Sequence, residues 1–169
     1  VHAWLEAAPR PRLLVGASLG GLLAAMNAEA ADAMVLVNPM PPAGLRGAAP
    51  RPAIVPWGRS ASLAGTRRAL PGADDAAALY AFRRWRDESG AVLDAAAAGV
   101  ALPAPTIPVR VIASQADIDV PFEASRDLAT AWSATFQPVP GHHVDPLLGR
   151  QAPTLAAQTA KWGQRTLTF

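Results

Sequence analysis

Apolar positions in this chain come in short blocks separated by turn-forming residues. Residues 12–15 form a short apolar run that suits a buried strand, and Leu22-Leu23-Ala24-Ala25-Met26 just beyond it is a good helix former. The pattern predicts a helix over 19–31 and a second strand over 34–37. Residues 109–113 are rich in β-branched side chains and read as another buried strand; 135–139 reads as a further one, with a helix over about 122–132 between them. The segment 39–106 breaks this rhythm. It is proline-rich at Pro39, Pro41, Pro42, Pro50, Pro52 and Pro56, then helical around 74–87 and 90–98. Strand–helix alternation on both sides of it implies an α/β fold with a mostly parallel sheet flanked by helices. The expected organisation is core over 1–38, an insertion over 39–106, and core again over 107–169.

Composition narrows the class. A chain of 169 residues suits one domain with a sizeable core. Hydrophobic residues make up 51%, which argues against disorder. Much of that fraction is alanine, which together with abundant Arg and Pro points to a GC-rich bacterial genome. No uninterrupted apolar stretch is long enough for a membrane span, and no secretory signal is visible, so the expectation is a cytoplasmic protein that does not enter a membrane. The absence of cysteine excludes disulfides and a thiol nucleophile. An isoelectric point near 9.9 suggests nucleic acid, yet the net charge is only +2. The basic run Arg83-Arg84-Trp85-Arg86 is followed at once by Asp87-Glu88, the pattern of a solvated helix face, and no nucleic-acid partner is expected.

The candidate chemistry begins at Gly16-Ala17-Ser18-Leu19-Gly20. The pentapeptide alone arises by chance in roughly one chain in twenty-five of this composition. Its setting, strand then sharp turn then helix, makes it a nucleophile motif with Ser18 as the nucleophile. The alternative is a helix N-cap serine in a glycine-rich turn. The flanking glycines are expected to lack Cβ atoms so that strand and helix pack closely. Ser18 also lies at a helix N-terminus, where free N–H groups favour developing negative charge.

Two later loops complete the set. After the strand 109–113 comes Ser114-Gln115-Ala116-Asp117-Ile118-Asp119-Val120-Pro121. Catalytic groups of open parallel sheets gather at the carboxyl ends of strands, where Asp117 falls; Asp119 is better suited to starting the next helix. After the strand 135–139 comes Pro140-Gly141-His142-His143. A general base needs a pKa near neutrality, and histidine is the usual choice. His142, directly after the glycine, is the preferred base and His143 the alternative; His2 reads as a surface residue. No close His/carboxylate set has metal-ligand spacing, so neither metal nor cofactor is expected. Trp57, Tyr80, Phe82 and Trp85 are candidates to line an acyl or aromatic pocket, with ordinary packing as the alternative; Trp57 and Trp85 are the substrate-binding candidates.

The order Ser18, Asp117, His142 resembles the α/β-hydrolase superfamily, on the elbow Gly16-Ala17-Ser18-Leu19-Gly20-Gly21, the acid segment from Ser114 to Pro121, and Pro140-Gly141-His142. Ser114 stands where many relatives have glycine. The resemblance implies a serine hydrolase of carboxylic esters or thioesters, with the Leu19 N–H in the oxyanion hole and the segment 39–106 as a cap. It covers that fold from its fifth strand onward. The superfamily's front strands, one of whose loops supplies the second oxyanion donor, are missing before the elbow. Together with valine at residue 1, this suggests a chain truncated at its N-terminus. It also leaves an exposed sheet edge through which copies could associate. The non-catalytic alternative is a fragment or interaction module of the same fold.

Overall fold

The structure, a computed structural model, describes residues 2–45 and 47–167. Val1, on which the truncation expectation rests in part, lies outside the described residues. The first part of the chain comprises α1 (His2–Ala7), β1 (Leu13–Ala17), α2 (Leu19–Ala25) and β2 (Ala33–Val37). The segment after it holds β3 (Ile54–Val55), α3 (Leu63–Ala69), α4 (Asp75–Phe82), β4 (Glu88–Ser89) and α5 (Gly90–Ala98). Then follow β5 (Val109–Ser114), α6 (Phe122–Ala131), β6 (Thr135–Val139), α7 (Asp145–Leu148) and α8 (Ala152–Leu167).

Four strands form one parallel sheet in the order β1-β2-β5-β6. All five residues of β2 are buried, because it has a strand on each side and helices on both faces. Its side chains alternate as a strand's must. Met34 and Leu36 join Ala24, Val109, Val111, Leu128 and Ala129 on the α2/α6 face. Val35 and Val37 join Ile112, Val139 and Leu155 on the α8 face, where Leu13 and Trp162 pack against them. Val15 on β1 remains 52% exposed, and β1 pairs only with β2 among the described residues. Pro138 costs nothing in β6, the opposite edge strand, where its missing N–H faces away from the ladder.

Between β2 and β5 the chain adds nothing to the main sheet. It builds a two-stranded antiparallel ribbon, Ile54–Val55 against Glu88–Ser89, and three capped helices. Ser62 accepts from Gly65 N–H, Asp74 from Ala77 N–H and Ser89 from Val92 N–H, each satisfying one of the donors a helix start leaves free. Leu22, Met40 and Ala96 join α2 and α5 in a small apolar cluster that ties this segment to the core.

The four strands fall where the pattern of apolar blocks places them. The first helix is shorter than expected: it ends at Ala25 and gives way to a 3₁₀ turn, Ala28–Ala30. Asn27 turns its amide back onto Leu23 O, a local bond that competes with helix continuation. The helix expected over 74–87 ends at Phe82, because Asp87 is drawn off to accept the Gly58 and Arg59 N–H groups, which sets the ribbon.

Candidate active site

The parallel topology brings the ends of all four strands to one edge, and with them Ser18, Asn38, Asp117 and the histidines. Ser18 occupies the tight turn between β1 and α2 with φ 52° and ψ −126°. A non-glycine residue held so stores on the order of 1–3 kcal/mol, which the surroundings must offset. Three backbone bonds do so: Ser18 N–H donates to Val37 O at 3.0 Å, and Ser18 O accepts from Gly21 N–H and Met40 N–H, each at 2.9 Å. The Ser18 hydroxyl makes no capping bond, so the N-cap alternative does not describe it. Leu19 is the first residue of α2, and its N–H has no acceptor within the helix.

The glycines divide the work differently from the expectation. A Cβ on Gly16 would lie 2.3 Å from Gly20 O and 2.8 Å from the Ala24 Cβ, so strand and helix touch there. Gly20 has open space where a Cβ would go, and the second close approach is at Gly21, whose Cβ would sit 2.7 Å from that of Pro39. The loop following β2 packs on Gly21, which is why the motif runs one glycine further.

Asp117 sits in the turn after β5 with its side chain only 1% exposed. Its Oδ1 accepts the N–H groups of Asp119 and Val120, both at 2.9 Å, and its Oδ2 faces His143 Nδ1 at 2.7 Å. The turn-forming role foreseen for Asp119 thus belongs to Asp117, which holds the loop with one oxygen and a histidine with the other.

That histidine is His143, which corrects the preference for His142. His142 points its Nδ1 at Ala116 O, 3.0 Å away, and its N–H donates to Asp145 Oδ2 at 2.7 Å. The reason lies in the turn. Gly141 adopts φ +104° and lies over Asp145; a Cβ there would come within 2.6 Å of Asp145 Oδ2. Asp145 is 3% exposed and packs against Gly72, Gly141 and Gly149. The backbone wraps around this buried carboxylate, and the wrap delivers the second histidine, not the first, to Asp117. Backbone bonds from Ala116 N–H to Gly141 O and from Gln115 N–H to Val139 O join the acid and base loops.

Burial of His143 pushes its pKa down. The hydrogen bond His143 makes to Asp117, the charge of that carboxylate, and the charge of Asp119 push it up and prevail, so the net shift is above the ordinary histidine value. Since Nδ1 is committed to Asp117, Nε2 is the nitrogen left to exchange a proton. The Ser18 hydroxyl makes no hydrogen bond to either histidine in this structure. Asp117, Asp119 and His143 each place a ligand-type atom within 4.8 Å of the others. Both Asp117 oxygens and His143 Nδ1 already bond to each other or to backbone N–H groups, yet the fold does bring together a close His/carboxylate set that the spacing along the sequence did not disclose.

Asn38, which the sequence reading did not single out, joins the loops from beneath. It is 2% exposed with φ 44°. Its Nδ2 donates to Ser114 Oγ at 3.0 Å and to His143 O at 2.6 Å, and its Oδ1 accepts Ser114 N–H at 2.7 Å. Ser114 is fully buried and takes two of these three bonds.

The aromatic candidates are placed elsewhere. Trp85 Nε1–H donates to Thr66 Oγ1 at 2.9 Å, joining the end of α4 to α3. Trp57 is 48% exposed. Tyr80 is half exposed and carries the Arg84 guanidinium 3.6 Å over its ring; Phe82 is half-buried. A groove of about 1340 Å³ runs between residues 41–45, 47–48, 98–102 and α6, and neither Trp57 nor Trp85 lines it. The groove's walls include Pro42, Leu45, Val100, Leu102 and Ile118, the last next to Asp117.

With the geometry in place, the comparisons bear on it. The family model described as "Alpha/beta hydrolase family" matches residues 1–158. None of the curated proteins matches the sequence. Among solved structures, the thioesterase domain from the curacin biosynthetic pathway is similar at 19% identity and a TM-score of 0.63, over 94% of this chain and 69% of that one. Polyneuridine aldehyde esterase is similar at 12% identity and a TM-score of 0.68, over 95% of this chain and 76% of that one. A Paleococcus ferrophilus monoacylglycerol lipase is similar at 19% identity and a TM-score of 0.61, over 95% and 70%. These likenesses are of fold, and the family model matches nearly the whole chain. No helix among the described residues is long and apolar enough to cross a membrane. The chain belongs to the alpha/beta hydrolase family.

Proposed function

We propose that this chain is a serine hydrolase of carboxylic esters or thioesters that works through Ser18, His143 and Asp117. The observation that carries the reading is the 2.7 Å contact between a buried aspartate and a histidine, at the strand edge where an uncapped serine sits in a strained turn. In the reaction, the substrate brings Ser18 and His143 into hydrogen-bond reach; such bonds are often long before substrate arrives. Ser18 Oγ attacks the acyl carbon as its proton passes to His143 Nε2. Asp117 fixes the Nδ1–H tautomer and stabilises the imidazolium. The Leu19 N–H faces the oxyanion, and the α2 N-terminus adds its dipole. Collapse of the tetrahedral intermediate expels the alcohol or thiol, which takes the proton from Nε2. Water then repeats the cycle on the acyl-enzyme, releasing the acid and restoring Ser18.

The segment 39–106 serves as the cap, and the apolar groove beside Asp117 suits an apolar acyl chain better than the tryptophans do. The test is hydrolysis of p-nitrophenyl acyl esters by the parent and by Ser18→Ala. A loss of at least about 10³-fold in kcat/KM is expected for removal of a triad nucleophile. Retention of the parent's rate by Ser18→Ala rejects the reading.

A further inference from the structure

We propose that Asn38 is a positioning residue for the base: its side-chain amide sets the loop of His143 relative to Ser18. The inference rests on the proposed serine-hydrolase reading. Every polar atom of the Asn38 side chain is used. One amide group holds Ser114 from both sides, and the same Nδ2 reaches the carbonyl of His143 itself. These bonds span 76 and 105 residues of sequence, so they tie together three separate stretches of chain.

The neighbours of Asn38 hold the nucleophile. Val37 O accepts the Ser18 N–H, and Met40 N–H donates to Ser18 O. Ser18 and His143 are therefore clamped by the same four-residue stretch, the former by its backbone and the latter by the Asn38 side chain. Other hydrogen bonds of the base loop run elsewhere: Gly141 O to the acid loop, His142 N–H to Asp145, Pro140 O to Gln151. Among the described residues, no other hydrogen bond joins residues 140–145 to β1, β2 or the elbow. Asp117 orients the imidazole ring, whereas Asn38 fixes where the backbone bearing that ring stands. A buried amide with all its bonds made holds a single geometry, since any slip leaves a polar group unpaired in a dry site. Left-handed φ suits asparagine here, as few other side chains tolerate it.

The test uses two variants of the whole chain. Asn38→Asp keeps the shape and the acceptor for Ser114 N–H but turns the donor toward His143 O into an acceptor. Asn38→Gly keeps the left-handed backbone and removes the side chain. Each is first shown to be folded by circular dichroism, with its urea midpoint recorded. Two quantities are then read on the folded protein: the second-order rate of Ser18 modification by a fluorophosphonate, and the His143 Nδ1 proton in ¹H–¹⁵N imidazole spectra. A displacement of the base by about 1 Å costs on the order of a hundredfold in rate. The expected result is a loss of that size in both variants, with weakening or loss of the protected His143 proton signal. Parent-like rates and an intact His143 signal, with only the urea midpoint lowered, overturn the inference and leave Asn38 as packing alone. A parent that is folded yet unmodified at Ser18 sinks the proposed function instead, and the His143 signal then still reads whether Asn38 holds the loop.

Discussion

Replacing Asp117 by asparagine exchanges one oxygen for an NH₂ group, and the bonds already around that side chain decide which way the new amide lies. Oδ1 accepts the Asp119 and Val120 N–H groups at 2.9 Å each. If the amide turned its NH₂ toward them, two backbone donors would face a donor, at about 1–3 kcal/mol each. The carbonyl therefore stays on the backbone, and the NH₂ faces His143 Nδ1, 2.7 Å from the original oxygen. A donor there forces Nδ1 to accept, so the ring proton moves to Nε2. That is the nitrogen needed to take the proton of Ser18, and the base is disabled without any change of shape. In serine hydrolases of known mechanism the same exchange costs about 10⁴-fold in turnover, equivalent to about 5.5 kcal/mol of barrier. The assay is kcat/KM on p-nitrophenyl esters for Asp117→Asn and the parent, with circular dichroism to show that the fold persists. A folded Asp117→Asn that keeps a tenth or more of the parent's kcat/KM refutes the tautomer argument, and with it the role given to Asp117.

Four further outcomes are expected. His143→Ala abolishes esterase activity while His142→Ala keeps most of it, read as kcat/KM on the same ester; the reverse order restores His142 as the base. Asp119→Asn removes one of the two charges that raise the His143 pKa, so the imidazole stays neutral to lower pH and the acidic limb of kcat/KM moves down; an upward move contradicts the assignment. The same sign governs stability: the contribution of the charged His143 pair is full below histidine's unfolded pKa and is lost as pH rises through its higher folded value. Gly16→Ala drives a Cβ to 2.3 Å from Gly20 O and lowers stability by about 1–3 kcal/mol or more, while Gly20→Ala, with open space around it, lowers it far less; urea midpoints separate the two. Thr66→Val strips the half-buried Trp85 N–H of its acceptor, at about 0.5–1.5 kcal/mol of stability, and leaves kcat/KM within twofold; a large loss of activity would return Trp85 to the substrate site.

Much of the core could be read along the chain because the sheet is parallel and buried on both faces. Its inner strands are therefore short apolar blocks, as Val109–Ser114 is, whereas the edge strand Thr135–Val139 is only partly apolar and was read from its β-formers despite Gln137 and Pro138. The elbow was legible because a glycine-flanked serine between strand and helix has few other uses. The place of Asp117, in the turn after β5, was legible from its position after that strand. Which histidine meets Asp117 was not, because two adjacent histidines have the same local setting and differ only in how the chain wraps the buried Asp145. Which way Trp57 and Trp85 face was not legible, because the sequence shows that an aromatic is present but not its orientation. Trp85 answers to Thr66, a buried hydroxyl in a helix that the apolar pattern did not disclose. Asn38 was hidden for the same reason. Its partners lie at the far end of the chain, and only an Asn-Pro step at a strand end marks it locally.

The central claim is that Ser18 is an activated nucleophile, and fluorophosphonate labelling of the folded 169-residue chain with peptide mapping tests it most directly. The account predicts a single adduct on Ser18 that disappears in Ser18→Ala and forms far more slowly in His143→Ala. A folded chain that takes no label, or that is labelled elsewhere while Ser18 stays free, contradicts it.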